Sequence, residues 1–401
     1  MTRLRCMLSC RCGCEGQPQT VGLMQGLALT ELTLSHFRSH KHGRVICDHR
    51  PIALYGNNGA GKTNILEAVS LLSPGRGLRR ASAGDMTRRP EELGWKITAL
   101  LQSRQNRYEI EIWSDAGAAR QVKIDGKAVS QTALGRIARV LWLVPSMDRL
   151  WIEGAEGRRR FLDRMTLSFL PEHAEISLGY EKAMRERNRL LKDQVRDTHW
   201  YRALENQMGD LGTRLHANRL AAVAQLRKSQ SAAETMFPTA DLELQNDNLS
   251  VLGTTGDLVQ ALGDHRARDM AAGRSLIGPH RSDLMALYAS KGVLAKDCST
   301  GEQKALLVSL ILANARALKG DFGAPPLLLL DEIAAHLDAT RRTALYDEIC
   351  ALGAQAWMTG TGVELFADLG PRALHLEVTE AAGLSSVVGG GPSGIPDQYT
   401  T

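Results

Sequence analysis

"GNNGAGKT", residues 56 to 63, is the stretch on which the fold turns. It fits G-x-x-x-x-G-K-T without a departure. A strand-like run, "RVICDHRPIALYG", ends at Gly56, and "TNILEAVSLLS" follows with apolar side chains at Ile65, Leu66, Val69 and Leu72, a helical spacing. In that strand–loop–helix setting, Gly56, Asn57, Asn58, Gly59, Ala60 and Gly61 form a loop whose backbone N–H groups surround a β-phosphate. Lys62 reaches the β/γ oxygens and Thr63 offers its hydroxyl to Mg²⁺. The pattern predicts an α/β nucleotide-binding core with ATP and Mg²⁺ as its ligands.

Two distant stretches extend the site. "PPLLLLDEI", Pro325 to Ile333, is an apolar run short enough for a fully buried parallel strand and ends in two carboxylates. Asp331 is expected to hold Mg²⁺, commonly through water, and Glu332 to orient or deprotonate the attacking water. In "CSTGEQKALL", residues 298 to 307, Ser299 and Glu302 have capping-box spacing ahead of a strongly helical segment. As structure this is a well-capped core helix. A helix N-terminus is also an anion site, and Gly301, with Gln303 in the same turn, allows close approach. Because the first loop already occupies one side of a triphosphate, the economical geometry closes Ser299 on ATP bound to a second copy of the chain.

Composition sets the outer limits. The chain has 401 residues, 43% hydrophobic and 23% charged, enough for one large domain and a smaller one. Its richest apolar window, "ALLVSLILANA" at 305 to 315, is broken by Ser309 and Asn314, so no membrane span is expected, and a soluble, cytoplasmic protein is. A formal charge of +5 permits a polyanionic partner without requiring one. Cys6, Cys10, Cys12 and Cys14 lie in one short N-terminal stretch with no second knuckle or nearby histidine, which argues against a zinc site. Residues 1–23 are read as a disordered extension or the product of a start codon assigned too early.

The rest divides as follows. Residues 24–150 hold the first part of the ATPase lobe: alternating leucines in "LALTELTL", the phosphate loop, and an antiparallel meander over 95–129 that includes an Asp-Gly turn. From 151 to 274 the sequence is charged and helix-forming, interrupted too often for a long coiled coil, and reads as a compact helical lobe. Residues 275–388 return to the ATPase core, and 389–401 are a Gly/Pro-rich flexible tail. For nucleic acid, the sequence offers "RGLRRASAGDMTRR" with Arg79 and Arg80, the triplet Arg158, Arg159 and Arg160, and the basic helix from Lys182 to Lys192. Each is either a solvated face or a row of phosphate contacts.

This arrangement resembles the ABC-type ATPases of chromosome maintenance and, among them, is similar to the RecF family of DNA-repair proteins. The resemblance runs from Met24 to about Val388 and rests on "FRSH" (37–40), "LLSPGRGLRR", "EGRRRFLDR" (156–164), "GPHRSDL" (278–284), "STGEQK" and "DEIAAHLD" with its Asp338. The sequence departs from the family's usual pattern at Ser282 and Ser39. The resemblance implies an ATPase head with an inserted helical lobe, ATP-dependent homodimerisation and slow, DNA-stimulated hydrolysis. It also implies binding to double-stranded DNA near single-strand gaps, RecR and RecO as partners, and a part in loading recombinase at damaged replication sites. It places Arg38 near the adenine, Asp338 in the loop after the carboxylates, and either Thr359 or Thr361 as the switch at the γ-phosphate; Ser146 stands where a glutamine is usual. An ATPase subunit of a membrane transporter uses the same three motifs. It does not normally carry so long an insertion as residues 64–298.

Overall fold

The alternating leucines become β1 (Gly26–Phe37), paired antiparallel with β2 (His40–Ile46). In this computed structural model the described residues are 26–89, 91–104, 106–116, 118–333 and 337–389. The cysteine-bearing extension and the tail lie outside them, as do the residues between Ile333 and Leu337. Along β1 the buried leucines are Leu27 and Leu29, then Leu32 and Leu34, so the parity of the pattern changes once. A bulge between Leu29 and Glu31, against β4, produces the change. There the backbone of Leu29 bonds to the side-chain amide of Gln355, at 2.9 Å through its N–H and 2.8 Å through its carbonyl. A buried glutamine thus ties the first strand to the other sheet.

After β3 (Ile52–Tyr55) and α1 (Lys62–Ser70) come β4 (Trp95–Arg104), β5 (Asn106–Ser114), β6 (Gln121–Ile124) and β7 (Lys127–Ala128). With β1 and β2 they form an antiparallel sheet of order β2-β1-β4-β5-β6-β7. The Asp-Gly turn joins β6 to β7 with φ of 49° at Asp125 and 74° at Gly126, the two positive values that a tight hairpin turn needs. A short α2 (Leu134–Ile137) leads to β8 (Val140–Leu143) and the helical lobe: α3 (Ala155–Phe169), α4 (His173–Lys192) and α5 (Thr198–Ser231). Next come β9 (Ala240–Gln245), α6 (Thr255–Asp264), α7 (Arg266–Ala272), β10 (Asp283–Tyr288) and β11 (Val293–Leu294). The chain then returns through α8 (Thr300–Asp321), β12 (Leu327–Leu330), α9 (Ala339–Leu352), β13 (Ala356–Gly360), β14 (Leu374–Ala381) and β15 (Leu384–Val388).

The second large sheet has order β15-β14-β3-β13-β12-β8, parallel except for β15 at its edge. β12 is four consecutive buried leucines, as expected of a parallel strand covered on both faces. One core lies between the two large sheets and encloses α1; a second packs α8, α9 and the end of α5 on the far face of the parallel sheet; a third, smaller one joins α4, α5 and α6 in the helical lobe. β9, β10 and β11 make a third, three-stranded sheet, so residues on either side of position 274 are joined by strand pairing.

In the helical lobe, α5 runs unbroken for 34 residues. Gly209 and Gly212 sit inside it because its neighbours come very close: a Cβ on Gly209 would lie 2.3 Å from Val259 Cγ2, and one on Gly212 2.8 Å from Leu258 Cδ2. The guanidinium of Arg187, fully buried, reaches Asp269 at 2.6 Å and Glu205 at 3.1 Å, and also bonds Ser275 Oγ and the Leu262 carbonyl. A buried cation and two buried carboxylates are tolerated together because each satisfies the other. Replacing Arg187 by alanine should therefore cost about 3–5 kcal/mol, since Asp269 would lose its counter-charge and Glu205 would keep only Arg266. A denaturant titration followed by circular dichroism measures this, and a loss within about 0.5 kcal/mol, the range for unremarkable surface changes, would show the network is not holding the lobe.

Candidate nucleotide site

β3, β13 and β12 are adjacent and parallel, so their carboxyl ends open on one crevice, the usual place for a ligand in an open α/β sheet. Gly56 follows β3, Thr359 lies at the end of β13, and Asp331 follows β12. Asp331 Oδ1 accepts hydrogen bonds from Thr63 Oγ1 at 3.0 Å and Thr359 Oγ1 at 2.7 Å. The Thr359 hydroxyl in turn accepts the Glu332 backbone N–H at 2.9 Å. Glu332 has φ of 54°, a left-handed conformation that costs a non-glycine residue energy and fixes the direction of its side chain. Thr361, by contrast, is exposed.

The loop is shaped by glycine. Gly56, Gly59 and Gly61 have φ of 148°, 86° and 102°. A Cβ on Gly61 would stand 2.5 Å from Ser385 Oγ and 2.8 Å from Ser39 Oγ, so β15 and the segment after β1 press directly on the loop. Asn57, Asn58 and Gly59 are exposed at its crest, while Ala60 is buried beneath. Lys62 Nζ donates to the carbonyls of Gly56 at 2.6 Å and Asn57 at 2.8 Å. Burial lowers its pKa from the ordinary lysine value, opposed by the carboxylates of Glu332 and Asp331.

Sequence patterns did not reveal Glu67. It is fully buried on α1, and both its carboxylate oxygens are taken by Arg38, at 2.9 and 2.7 Å, with Arg79 sharing one at 3.1 Å. Arg38, at φ 56°, also donates to the Asp85 carbonyl at 2.6 Å. Arg79 bonds Asn64 Oδ1 at 2.7 Å, and Asn64 donates to Ser39 Oγ at 2.7 Å. The only local hint was an acid between apolar neighbours in "ILEAV".

The second turn lies elsewhere. Ser299 caps α8 with the full reciprocal capping box, Ser299 and Gly301 are exposed, and nothing stands within 4 Å of a Cβ built on Gly301. Glu302 pairs with Lys291, and Gln303, buried, donates to the Cys298 carbonyl at 2.8 Å. Among the described residues no hydrogen bond or ion pair joins residues 299–303 to the phosphate loop or to Asp331 and Glu332. Asp338 caps α9 through the Arg341 N–H at 2.8 Å, and Ser146 is exposed on the turn after β8.

Of the basic residues singled out for nucleic acid, Arg158 is committed to Asp283 by two bonds of 2.7 and 2.8 Å. Arg159 donates to the Ser282 carbonyl at 2.8 Å, and Arg160 is exposed but paired with Glu156. These first two arginines fasten α3 to β10. In "RGLRRASAGDMTRR", Arg79 belongs to the Glu67 network, whereas Arg76, Arg80 and Arg89 are exposed and make no ion pair with a described residue.

A glycine-lined phosphate loop, paired carboxylates at the end of a nearby parallel strand, an antiparallel meander and a second capped turn define an ATPase head of the ABC type. Residues 28–368 match the family model described as RecF/RecN/SMC N terminal domain. The chain is 44% identical to the DNA replication and repair protein RecF of Allorhizobium ampelinum over 88% of its length and 97% of that protein. It is 45% identical to the protein of that name from Brucella suis, over 88% and 95%. In fold it is similar to a structure of the recombination mediator protein RecF-ATP in the RecFOR pathway, with a TM-score of 0.76 at 21% identity over 90% of this chain and 98% of that one. An Smc head domain from Pyrococcus furiosus is a more distant likeness, with a TM-score of 0.53 at 16% identity over 90% and 96%. The chain belongs to the RecF family of DNA replication and repair proteins. Among the described residues no helix is long and apolar enough to cross a membrane.

Thr359 is the joint of the crevice. Thr359→Val keeps the shape of the side chain but strands the Glu332 N–H and removes a donor from a buried carboxylate. It should cost about 1–3 kcal/mol in denaturant unfolding, whereas Thr361→Val, on an exposed residue, should be within about 0.5 kcal/mol of wild type.

Proposed function

We propose that this chain is an ATP-operated DNA clamp, in which two copies close on two ATP molecules and hold duplex DNA beside a single-strand gap. The observation that carries this reading is the separation of the two phosphate-binding turns. Thr63, Asp331, Thr359 and Glu332 converge, while the open turn at Ser299 bonds to none of them. A symmetric pair brings each open turn onto the partner's loop and leaves neither unused.

In that pair the loop N–H groups and Lys62 hold the β- and γ-phosphates, and the Ser299 helix terminus from the other copy meets the γ-phosphate. Thr63 and Asp331 present a hydroxyl and a carboxylate 3.0 Å apart, hard oxygen donors that suit Mg²⁺ alongside phosphate oxygens and water. When bound there, Mg²⁺ neutralises charge on the β/γ oxygens. Glu332 accepts the proton of the water that attacks the γ-phosphorus, and Thr359 fixes the backbone from which it acts. Arg38 stands beside α1 as the residue for the base. Asp338, beyond the carboxylates, belongs to the segment that meets the other copy. Hydrolysis is slow and DNA-stimulated, so that ATP serves as a switch. The work is cytoplasmic, with RecR and RecO as partners and recombinase loading as its outcome. Family membership disfavours the transporter subunit.

Glu332→Gln should bind ATP and accumulate as dimer on size exclusion, and Lys62→Met should fail to dimerise with ATP; equal turnover in Glu332→Gln and wild type would remove Glu332 from the chemistry. The arrangement between copies has its own test. Lys62→Met and Ser299→Arg chains are each inactive alone, yet in a mixed dimer both lesions fall in one site and the other is intact. Equal mixing should restore about a quarter of wild-type site number by that symmetry. Mixing that restores neither turnover nor dimer, with both variants folded, would leave Ser299 as a helix cap only.

DNA affinity should fall linearly in log–log form with salt, without dependence on sequence. Because Arg158 and Arg159 are structural, the triple change to probe is Arg76→Ala, Arg80→Ala and Arg89→Ala. If all three touch phosphates it should reduce the slope by up to about 3. An unchanged slope would assign them to the solvated face.

A further inference from the structure

The tip of the helical lobe carries a surface that includes neither the nucleotide site nor Arg76, Arg80 and Arg89. α4 ends at Lys192 and α5 begins at Thr198. In the first turn of α5, Tyr201 is fully buried, with the Arg266 guanidinium 5.0 Å from its ring centroid and Arg266 held by Glu205 at 2.6 Å. That contact fixes the rotation of the helix, and the preceding residue, about 100° round the axis, must point away from the core. It is Trp200, and 64% of it is exposed.

An indole left in water forgoes the burial that usually accounts for a tryptophan. Its surroundings indicate what it meets. Lys192 and Arg196 are exposed on the approach to α5, and Arg268 on α7 and Arg274 just after it are exposed at an end of α7 close to α4, since a Cβ on Gly273 would lie 3.5 Å from Lys192 Cγ. None of these four cations has an ion pair among the described residues. The two acids of the connection are partly engaged: Asp197 caps α5 through the His199 N–H at 2.8 Å, and Asp193 lies 3.9 Å from Arg189. Unpaired cations around a projecting aromatic face are the elements of a single-strand stacking platform. A base inside a duplex has both faces covered by its neighbours, so the ligand that fits is an unpaired nucleotide.

We propose that the lobe tip binds an unpaired nucleotide of a single strand, its base stacked on Trp200 and its flanking phosphates held by the surrounding cations. The proposal deepens the DNA-binding reading and rests on it for delivery of the strand, but it can be tested apart from it. The full chain with ATP is titrated against three probes: a blunt duplex, the same duplex with a short overhang containing 2-aminopurine, and the 2-aminopurine strand alone.

Wild type should quench the 2-aminopurine by stacking. Trp200→Ala should abolish the quench and bind the overhang roughly ten-fold more weakly, the loss expected for one base–aromatic stack. Affinity for the blunt duplex and turnover of ATP without DNA should stay unchanged, and Trp200→Phe should keep most of both signals. Equal overhang affinity and equal quench in wild type and Trp200→Ala would overturn the proposal. So would an equal loss on the blunt duplex, or loss of ATP-dependent dimer with the quench intact, which would make the tip a contact between copies. Trp200-dependent quenching of the single strand without any duplex binding would sustain the tip while refuting the duplex reading.

Discussion

The carboxylate of Asp331 is the point on which the architecture depends. It is nearly inaccessible to water, and a buried anion is stable only if donors surround it. Two of those donors are hydroxyls from residues 268 and 28 positions away, Thr63 and Thr359, and the backbone N–H of Asp331 reaches the Leu143 carbonyl at 2.9 Å. For all three to arrive, β8, β12, β13 and β3 must lie in that order, with the phosphate loop at the end of the last. The strand order of the parallel sheet and the chemistry of the crevice are therefore one constraint. Any slip in the register of β12 would move the carboxylate to the opposite face and leave both hydroxyls without it.

A second buried acid extends this logic to the end of β1. Glu67 lies on the helix that follows the phosphate loop and is neutralised by Arg38 from the end of β1 and by Arg79 from the segment after α1. Removing either arginine would leave a charge buried with less than its counterpart, which is far costlier than losing a surface pair. The helix after the phosphate loop, the end of β1 and the basic segment with Arg76, Arg80 and Arg89 are thus held by one electrostatic centre. Gln355 makes a neutral counterpart, substituting its amide for a strand neighbour at the bulge in β1.

What could be read in the sequence was what depends on near neighbours. The phosphate loop, the Ser299 capping box, the Asp125–Gly126 turn and the buried strand of leucines each follow from a few consecutive residues. Partnerships set by the fold could not be read. Glu67 needed Arg38 and Arg79, and no spacing along the chain relates them. Gly209 and Gly212 are poor helix formers, yet they lie within a continuous helix because small residues let α6 approach. Arg158 and Arg159 carried the same basic signal as exposed arginines. Only the position of Asp283 and the Ser282 carbonyl distinguishes a fastening from a surface charge.

Those fastenings bear on how the two halves of the proposed composite site are connected. "GPHRSDL" is gripped from several sides. Arg219, paired with Asp163 at 2.7 Å, donates to the Pro279 carbonyl at 2.6 Å. Asn246 holds Gly278 and Ser282, and Arg158 clamps Asp283. Within it, His280 donates through Nε2 to the Ser275 carbonyl, which can only accept, so its Nδ1 accepts from the Tyr180 hydroxyl. Burial holds the ring neutral, pulling its pKa down to about 4. From Asp283 the chain runs through β10 and β11 to Ser299. A displacement of the helical lobe must carry the capped turn with it, because breaking the connection would expose a bidentate ion pair and several backbone bonds at once. The phosphate loop is tied instead to the antiparallel sheet, through Glu67 on α1 and Arg38 after β1. α8 itself packs on the far face of the parallel sheet, so the turn at Ser299 is tied both to the lobe that carries Trp200 and to the strand that leads to Asp331.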